Sequence, residues 1–216
     1  MSTNAMGAML VRQFGHPTGP VGLLAGLVMA VRPSNRERIT RTLELLQIHA
    51  GDLVLEIGFG PGLAIARAAA SADEVRVVGI DRSRLMLRMA TLRNARAIRE
   101  GRVQLQLACA ESLPAFADPF DKAFAINVHM FWAEPAFVLQ RIASALRPGG
   151  VLALTFQPRR PGATGPDALR AGERAEDDMR AAGFSEVRLE LLEMKPVAAV
   201  CVLGRRPTTT PTKLRG

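Results

Sequence analysis

Three glycines that directly follow an apolar segment constrain the folding of this chain more than any other feature. Leu53–Ile57 is apolar apart from Glu56, a composition typical of a buried parallel strand. Glycine then occupies positions 58, 60 and 62, and the apolar periodicity of residues 63–70 predicts a helix. Glycine allows a sharp turn and lets a ligand approach the backbone closely. The segment therefore predicts a strand–loop–helix unit that binds a small molecule at the start of a helix, where amide groups are free.

The rest of the chain alternates between predicted strands and predicted helices. Further strands are expected at residues 75–80, 103–107, 120–127, 151–156, 184–191 and 197–203, with a break at residues 147–150. Helices are expected at about residues 35–48, after Asp81, and at about 134–146 and 167–182. This βαβ alternation predicts a doubly wound α/β fold with a mainly parallel sheet. We expect a tail and helical cap at residues 1–50, one domain at 51–203, and a disordered basic tail at 204–216.

The charge distribution limits the choice of partner. The net charge of +8 is concentrated at the two ends, and residues 204–216 contain four basic side chains and no acidic one. The nearly neutral middle of the chain disfavours a nucleic-acid partner, because such proteins need a basic face on the folded domain. An arginine-rich helix after Asp81 is the exception, and we expect its arginines to form a solvated outer face.

The lengths of the apolar runs and the spacing of the cysteines bear on membrane insertion, metal binding and cellular location. No apolar run approaches the ~20 residues of a membrane span. The two cysteines, Cys109 and Cys201, do not have a metal-binding spacing, so no metal site is predicted. A reducing, cytoplasmic location is the expectation for such a chain.

Asp81 ends the second predicted strand and is the second indication of a ligand. In sheets of this kind, ligands bind beyond the carboxyl ends of the strands. A carboxylate there can accept two hydrogen bonds from a ribose diol, which indicates a nucleoside without identifying it. A dinucleotide-binding loop would need glycine at position 63, and the chain has Leu63 there.

Five segments then occur in the order found in one enzyme family. They are E-x-G-x-G-x-G at residues 56–62, G-I-D-R-S-R-L-M-L at 79–87, A-C-A-E-S-L-P at 108–114, the strand beginning F-D at 120–127, and L-R-P-G-G at 146–150. Together they resemble the class I S-adenosylmethionine-dependent methyltransferases, in particular those of ubiquinone and menaquinone biosynthesis. The resemblance implies a Rossmann-like, seven-stranded, mainly parallel sheet with an N-terminal helical cap. It also implies S-adenosylmethionine as cofactor and S-adenosylhomocysteine as product.

The resemblance assigns cofactor binding to particular positions of this chain. These positions are Glu56, Gly58, Phe59, Gly60, Gly62, Asp81, Arg82, Met86, Ala110, Glu111 and Asn127. One position departs from the family, because Cys109 replaces an aspartate that commonly accepts a hydrogen bond from the adenine amino group. A thiol is a weak acceptor, so adenine would depend on the backbone of Ala110, on Glu111, or on packing between Arg82 and Leu113.

The acceptor side of the site is less defined. The resemblance implies methyl transfer to a small molecule, and His129, just after the fourth strand, is the candidate general base if the acceptor must lose a proton. His129 can equally stack on adenine or lie exposed. The apolar segment at residues 21–31 either indicates a small or lipophilic acceptor or only covers the sheet. Arg159 and Arg160 can either bind an anionic acceptor or remain solvated. The candidate substrate-binding residues are Phe14, His16, Met29, Met130 and Trp132.

Three other functions remain open on the sequence alone. The replacement by Cys109 keeps a cofactor-binding regulatory protein without catalysis among the alternatives. An NAD-dependent oxidoreductase is opposed by Leu63 and by the L-R-P-G-G turn. An RNA methyltransferase would use the arginine-rich helix and the basic tail. The oligomeric state is also open, a dimer included.

Overall fold

A computed structural model describes residues 33–208, which form a single seven-stranded sheet with its helices. The strands are β1 Leu53–Ile57, β2 Arg76–Asp81, β3 Val103–Leu107, β4 Phe120–Ile126, β5 Leu146–Phe156, β6 Ser185–Leu192 and β7 Ala199–Arg205. Their order across the sheet is β3-β2-β1-β4-β5-β7-β6, and β7 is antiparallel to both of its neighbours while the other pairs are parallel. The predicted doubly wound, mainly parallel, seven-stranded sheet is confirmed.

The helices lie between the strands, as the βαβ pattern requires. They are α1 Pro33–Leu46, α2 Leu63–Ala68, α3 Arg84–Arg93, α4 Ala95–Arg99, α5 Pro135–Ala145 and α6 Gly165–Ala181. Short 3₁₀ turns follow β3 at Ala110–Ser112 and β4 at His129–Phe131. No helix within residues 33–208 is both long enough and apolar enough to cross a membrane. Phe14, His16, Met29, the apolar segment 21–31 and the end of the basic tail lie outside the described residues.

The sheet separates two apolar layers, which explains why the central strand β1 is apolar apart from Glu56. Leu55 and Ile57 of β1 belong to the layer that includes side chains of α5 and α6. Val54, on the opposite face of the same strand, belongs to the layer of α1, α2 and α3. A strand buried on both faces cannot alternate apolar and polar residues, so its sequence becomes a continuous apolar run.

The strand order places the site. The chain proceeds from β1 outward to β2 and β3, and then returns to place β4 on the other side of β1. The loops that leave β1 and β4 therefore diverge, which opens a crevice beyond the carboxyl ends of these strands.

Two predictions about individual elements were wrong. The arginine-rich segment after Asp81 forms two helices, because the buried Asn94 adopts a non-helical conformation and its side-chain amide donates to the carbonyl oxygens of Ala90 (2.9 Å) and Gly62 (3.1 Å). The predicted break at residues 147–150 is the first part of β5, where Gly149 and Gly150 exchange backbone hydrogen bonds with Arg206 (2.8 Å each). The expected solvated face of α3 and α4 is confirmed for Arg84, Arg88, Arg93, Arg96 and Arg99, which are exposed.

Candidate functional site

A cavity lies beyond the carboxyl ends of β1, β2 and β4, where the strand order reverses. Its wall includes the loop after β1, the end of β2, the 3₁₀ turns after β3 and β4, and one face of α1. The structure brings ten of the predicted site residues together on this wall: Glu56, Gly58, Phe59, Gly60, Asp81, Arg82, Met86, Ala110, Glu111 and Trp132. Gly62, Asn127, His129 and Met130 do not line it.

The glycine loop is held in place by Asp81. The Gly60 amide donates to Asp81 Oδ2 (2.9 Å), and the Ser83 amide donates to Asp81 Oδ1 (2.8 Å). The Gly58 amide donates to the carbonyl oxygen of Ile80 (2.8 Å), so the loop turns back over the end of β2. Because a carboxylate oxygen can accept more than one hydrogen bond, Asp81 keeps acceptor capacity for a ligand while it holds the loop.

The three glycines of the loop have different surroundings. All three have positive φ angles, of 76° at Gly58, 51° at Gly60 and 77° at Gly62. A Cβ atom at Gly58 would lie 2.5 Å from Val128 Cγ2, and one at Gly62 would lie 2.7 Å from Ala90 Cβ. Nothing lies within 4 Å of a Cβ at Gly60. Gly60 therefore faces open space at the cavity, whereas Gly62 allows α3 to pack closely.

Glu56 places a carboxylate on the cavity wall in an unusual state. The residue is 3% exposed, and its Oε2 has no hydrogen-bond partner. Burial raises the pKa of Glu56 well above its usual value, the negative charge of Asp81 raises it further, and a hydrogen bond with the Ile65 amide opposes both effects. An acceptor atom buried without a partner is suited to a ligand that brings a cationic donor.

Asp81 has a more balanced environment. Burial raises its pKa, while the amides of Ser83 and Gly60 and the charge of the exposed Arg82 act in the opposite direction. Glu56 and Asp81 thus lie on neighbouring strands and both line the cavity. Asp81 already accepts two backbone hydrogen bonds, whereas Glu56 Oε2 accepts none.

The segment after β3 forms another part of the wall. Ala110 is buried, and Cys109 and Glu111 are half-buried on the cavity. Cys109 Sγ lies 2.9 Å from Ser112 Oγ, so the thiol has a partner within its own turn. The thiol thus stands on the cavity wall at the position where the resemblance implied an aspartate.

The residues after β4 separate into two groups. Asn127 has a positive φ of 55° and joins the ends of β4 and β5: its Oδ1 accepts from the Gln157 amide (2.8 Å), and its Nδ2 donates to the Gln157 carbonyl oxygen (3.3 Å). Its side chain is therefore occupied in holding two strand ends together. Trp132 lines the cavity with an indole Nε1 that is buried without an acceptor, and Met130 is 40% exposed.

His129 lies behind this wall rather than on it. Its ring makes edge-to-face contacts with Trp132 (6.2 Å between centroids) and Phe156 (5.8 Å). Its Nδ1 is buried without a partner, and burial lowers the pKa of His129 to about 4. The imidazole is therefore neutral at physiological pH.

Comparison with known proteins identifies the family. The model of a methyltransferase domain matches residues 54–150. The uncharacterized methyltransferase YdaC of Bacillus subtilis is 32% identical over 187 residues, which cover 87% of this chain and all of YdaC. The chain belongs to the S-adenosylmethionine-dependent methyltransferases.

Two further similarities extend this result. The ubiquinone/menaquinone biosynthesis C-methyltransferase UbiE of Syntrophotalea carbinolica is 35% identical over 128 residues, covering 58% of this methyltransferase and 53% of UbiE. The crystal structure of the N-methyltransferase NodS from Bradyrhizobium japonicum, in complex with S-adenosylhomocysteine, has a TM-score of 0.67 and 19% identity, covering 93% of this chain and 97% of NodS. The predicted family, its UbiE-like character and its fold are confirmed, and the cofactor is S-adenosylmethionine.

The cavity of this methyltransferase fits that cofactor on its own features. Glu56 offers an unpartnered acceptor to an ammonium group, Gly60 leaves open space beside a backbone amide, and Asp81 offers acceptors to a diol. Within residues 33–208, no group of three or more potential metal-binding side chains occurs.

Several wall residues were missed from the sequence. Asn35 and Ile39 of α1, and Val128 after β4, also line the cavity. Asn35 and Ile39 share a helix face by their spacing of four, but sequence periodicity does not say that this face lies over the cavity rather than over the sheet.

Proposed function

We propose that this methyltransferase transfers a methyl group from S-adenosylmethionine to a small organic acceptor that enters between α1 and the turn after β4. The observation that supports this proposal is the cavity itself. Its acidic end contains Glu56, Gly60 and Asp81, and its other side is walled by Ile39, Phe131 and Trp132. The name of UbiE assigns that enzyme to ubiquinone and menaquinone biosynthesis, which agrees with a small organic acceptor.

The proposed cofactor contacts follow from the atoms that the chain leaves available. Glu56 Oε2 accepts from the amino group of the cofactor, because it is the buried acceptor without a partner. Asp81 accepts from the ribose hydroxyls while it keeps the amides of Gly60 and Ser83. When bound, the cofactor would supply a sulfonium-linked methyl group whose carbon an acceptor nucleophile attacks in line, with S-adenosylhomocysteine as the leaving group. The chain then has to position the acceptor and exclude water.

The adenine end of the cavity is proposed at the turn after β3. Met86 is buried on the wall and offers an apolar surface, while Ala110 supplies backbone and Glu111 a carboxylate. Cys109 already has Ser112 as a partner, so we do not assign it a hydrogen bond with adenine. Arg82, exposed at the rim, packs over the same end.

We propose that His129 takes up the proton when the methyl acceptor reacts through a hydroxyl group. Its neutral ring and unpartnered Nδ1 satisfy the first requirement of a base, and its contact with Trp132 places it one side chain away from the cavity. Proton transfer through this position requires Trp132 to move. An amine acceptor would need no base, and His129 would then only hold the Trp132 ring.

An RNA acceptor has less support from the described residues. Arg96 and Arg102 both pair with Glu100 (2.7 and 2.5 Å), and Arg93 donates to the carbonyl oxygen of Pro61 (2.9 Å). These contacts use part of the positive charge that phosphates would need.

A cytoplasmic location remains a prediction. Cys109 and Cys201 are both free thiols, which agrees with a reducing compartment.

The test is methyl transfer from isotopically labelled S-adenosylmethionine to a panel of quinols, phenols, amines and carboxylic acids. We expect label in at least one small acceptor. Asp81→Asn should lose at least about tenfold in kcat/KM, since one charge-assisted hydrogen bond is worth about 1.5–3 kcal/mol. Asp73→Asn, the same change at an exposed carboxylate outside the cavity, should be unaffected. Label transferred to RNA and to no small acceptor would contradict the proposal.

A further inference from the structure

Arg38 of α1 is buried in a way that calls for a counter-ion. The residue is 2% exposed. Its Nη1 donates to Gln157 Oε1 (2.5 Å) and its Nη2 to Asn35 Oδ1 (2.7 Å), while Nε has no acceptor. Both acceptors are neutral amide oxygens, and they use two of the five N–H groups of the guanidinium. A buried cation is normally paired with an anion, because removing it from water is costly.

In the part of the chain that the structure describes, Arg38 is paired with no carboxylate. The segments outside residues 33–208, namely 1–32 and 209–216, contain neither aspartate nor glutamate. Arg159, in the loop after β5, brings a second positive charge: burial and Arg159 together lower the pKa of Arg38 to about 9. The neighbouring Arg160 pairs with Asp167 (2.7 Å).

The position of Arg38 relates it to the acceptor rather than to the cofactor. Asn35 and Ile39, which lie three residues before and one residue after it on α1, both line the cavity. Gln157 follows β5, and Asp81 ends β2, three strands away in the sheet. With strands about 4.8 Å apart, Gln157 and Asp81 are separated by roughly 14 Å. Arg38 itself does not line the cavity, but its Nη2 donates to Asn35, a residue of the cavity wall on the side away from Asp81.

Gln157 fixes the guanidinium in this position. It is fully buried, and its Nε2 donates to the carbonyl oxygen of Val197 (2.7 Å), which orients Oε1 towards Arg38. Its backbone is held by the side chain of Asn127. Gln157 is therefore a positioning residue. Asn35 is half-buried on the cavity wall. An incoming oxyanion would either displace the Asn35 oxygen from Arg38 Nη2 or bind beside it.

We propose that Arg38 binds an oxyanion of the methyl acceptor, a carboxylate or a phosphate group. This inference rests on the proposed function and names the class of its substrate. The acceptor then combines an apolar part, next to Phe131 and Trp132, with a negatively charged group next to α1. A guanidinium is suited to both oxyanions, since its planar fork can donate two parallel hydrogen bonds.

The first experiment measures thermal unfolding in sodium phosphate, sodium acetate and sodium chloride at equal ionic strength, with and without S-adenosylhomocysteine. At an anion concentration about tenfold above its Kd, we expect the midpoint to rise by about 3–6 °C over chloride. A response to phosphate alone, to acetate alone or to both distinguishes a phosphate-bearing from a carboxylate-bearing acceptor. No response to either anion in the wild type overturns the inference.

Variants assign the response to Arg38. Arg38→Met should abolish the anion response, because it removes the guanidinium. Arg160→Met, in the loop after β5, should keep the response. An unchanged response in Arg38→Met, or a lost response in Arg160→Met, contradicts the proposal.

A second variant supplies the missing anion from within the chain. Asn35→Asp is isosteric and places a carboxylate on the oxygen that already accepts from Arg38. It should raise the unfolding midpoint in chloride and remove the response to added anions. A midpoint below that of the wild type would overturn the inference.

Calorimetric titration with S-adenosylhomocysteine separates this inference from the proposed function. We expect Arg38→Met to bind it like the wild type. Normal binding together with an absent anion response would contradict the oxyanion site alone. Failure of the wild type to bind would contradict the proposed function.

Discussion

Gly58 and Gly60 are expected to respond in opposite ways to the same substitution. In both Gly58→Ala and Gly60→Ala, the new residue has a positive φ, which costs an L-residue about 1–2 kcal/mol. At Gly58 the methyl group also lies 2.5 and 2.8 Å from the two Cγ atoms of Val128, and overpacking of this kind costs about 1–3 kcal/mol. Gly58→Ala should therefore lose about 2–5 kcal/mol of stability, and Gly60→Ala only about 1–2 kcal/mol.

Cofactor affinity should rank the two variants the other way once it is measured on folded protein. The methyl group of Gly60→Ala enters open space at the cavity, where we propose that the cofactor lies close to the backbone of the glycine loop. We therefore expect a loss of at least about tenfold in affinity for S-adenosylhomocysteine. Gly51→Ala is the matched control. Gly51 has a φ of 78°, and nothing lies within 4 Å of its added Cβ, but it does not line the cavity.

The assay combines urea unfolding with calorimetric titration for all three variants. Gly51→Ala should lose about as much stability as Gly60→Ala and keep the wild-type affinity. Adding Val128→Ala to Gly58→Ala should recover most of the overpacking cost, which a double-mutant cycle measures. Wild-type affinity in Gly60→Ala, or wild-type stability in Gly58→Ala, would refute the reasoning.

The remaining predictions concern His129 and the basic tail. The pKa of His129 is about 4 in the folded protein against a usual 6.5, so the unfolded state binds the proton first as the pH falls, and stability should decrease between pH 6.5 and 4 by at most about 3 kcal/mol. His129→Phe should reduce this decrease in urea unfolding at several pH values; an identical pH dependence in both proteins would contradict the assignment. If His129 is the base, kcat/KM should fall towards pH 4 and not near pH 6.5, and His129→Phe should lose about 10²–10⁴-fold in rate on a hydroxyl acceptor. A limb near pH 6.5 would exclude His129. Deletion of residues 209–216 should leave methylation of a small acceptor unchanged, and a loss of activity only on RNA would favour the RNA alternative.

The parts of the fold that depend on local sequence were predictable. The bounds of β1 and β3 agree with the prediction, and those of β4 differ by one residue. β1 is a mainly apolar run that is buried throughout, whereas β3 alternates apolar and polar residues, and both patterns are visible in the local sequence. Glu56 and Asp81 were expected at the site and both line the cavity, Asp81 because it ends a strand and Glu56 because it belongs to the segment that carries the family resemblance.

The parts that depend on distant partners were not predictable. Asn94 divides the arginine-rich segment through a bond to Gly62, 32 residues away, and Gly149 joins β5 by pairing with Arg206. Arg38 meets Gln157 across 119 residues, so neither residue could be linked to the acceptor site from the sequence. The role of Gly62 was missed for the same reason, since its neighbour Ala90 belongs to a different helix.

The central claim is that the cavity at Glu56 and Asp81 binds S-adenosylmethionine, and calorimetric titration of wild type, Glu56→Gln and Glu44→Gln tests it most directly. Gln keeps an oxygen for the Ile65 amide and removes only the acceptor that we assign to the cofactor amino group, while Glu44 is an exposed control on α1. We expect the wild type to bind S-adenosylhomocysteine and not NAD, Glu56→Gln to bind about 10–100-fold more weakly without loss of stability, and Glu44→Gln to be unchanged. Equal affinity in Glu56→Gln and the wild type, or binding of NAD alone, would contradict the account.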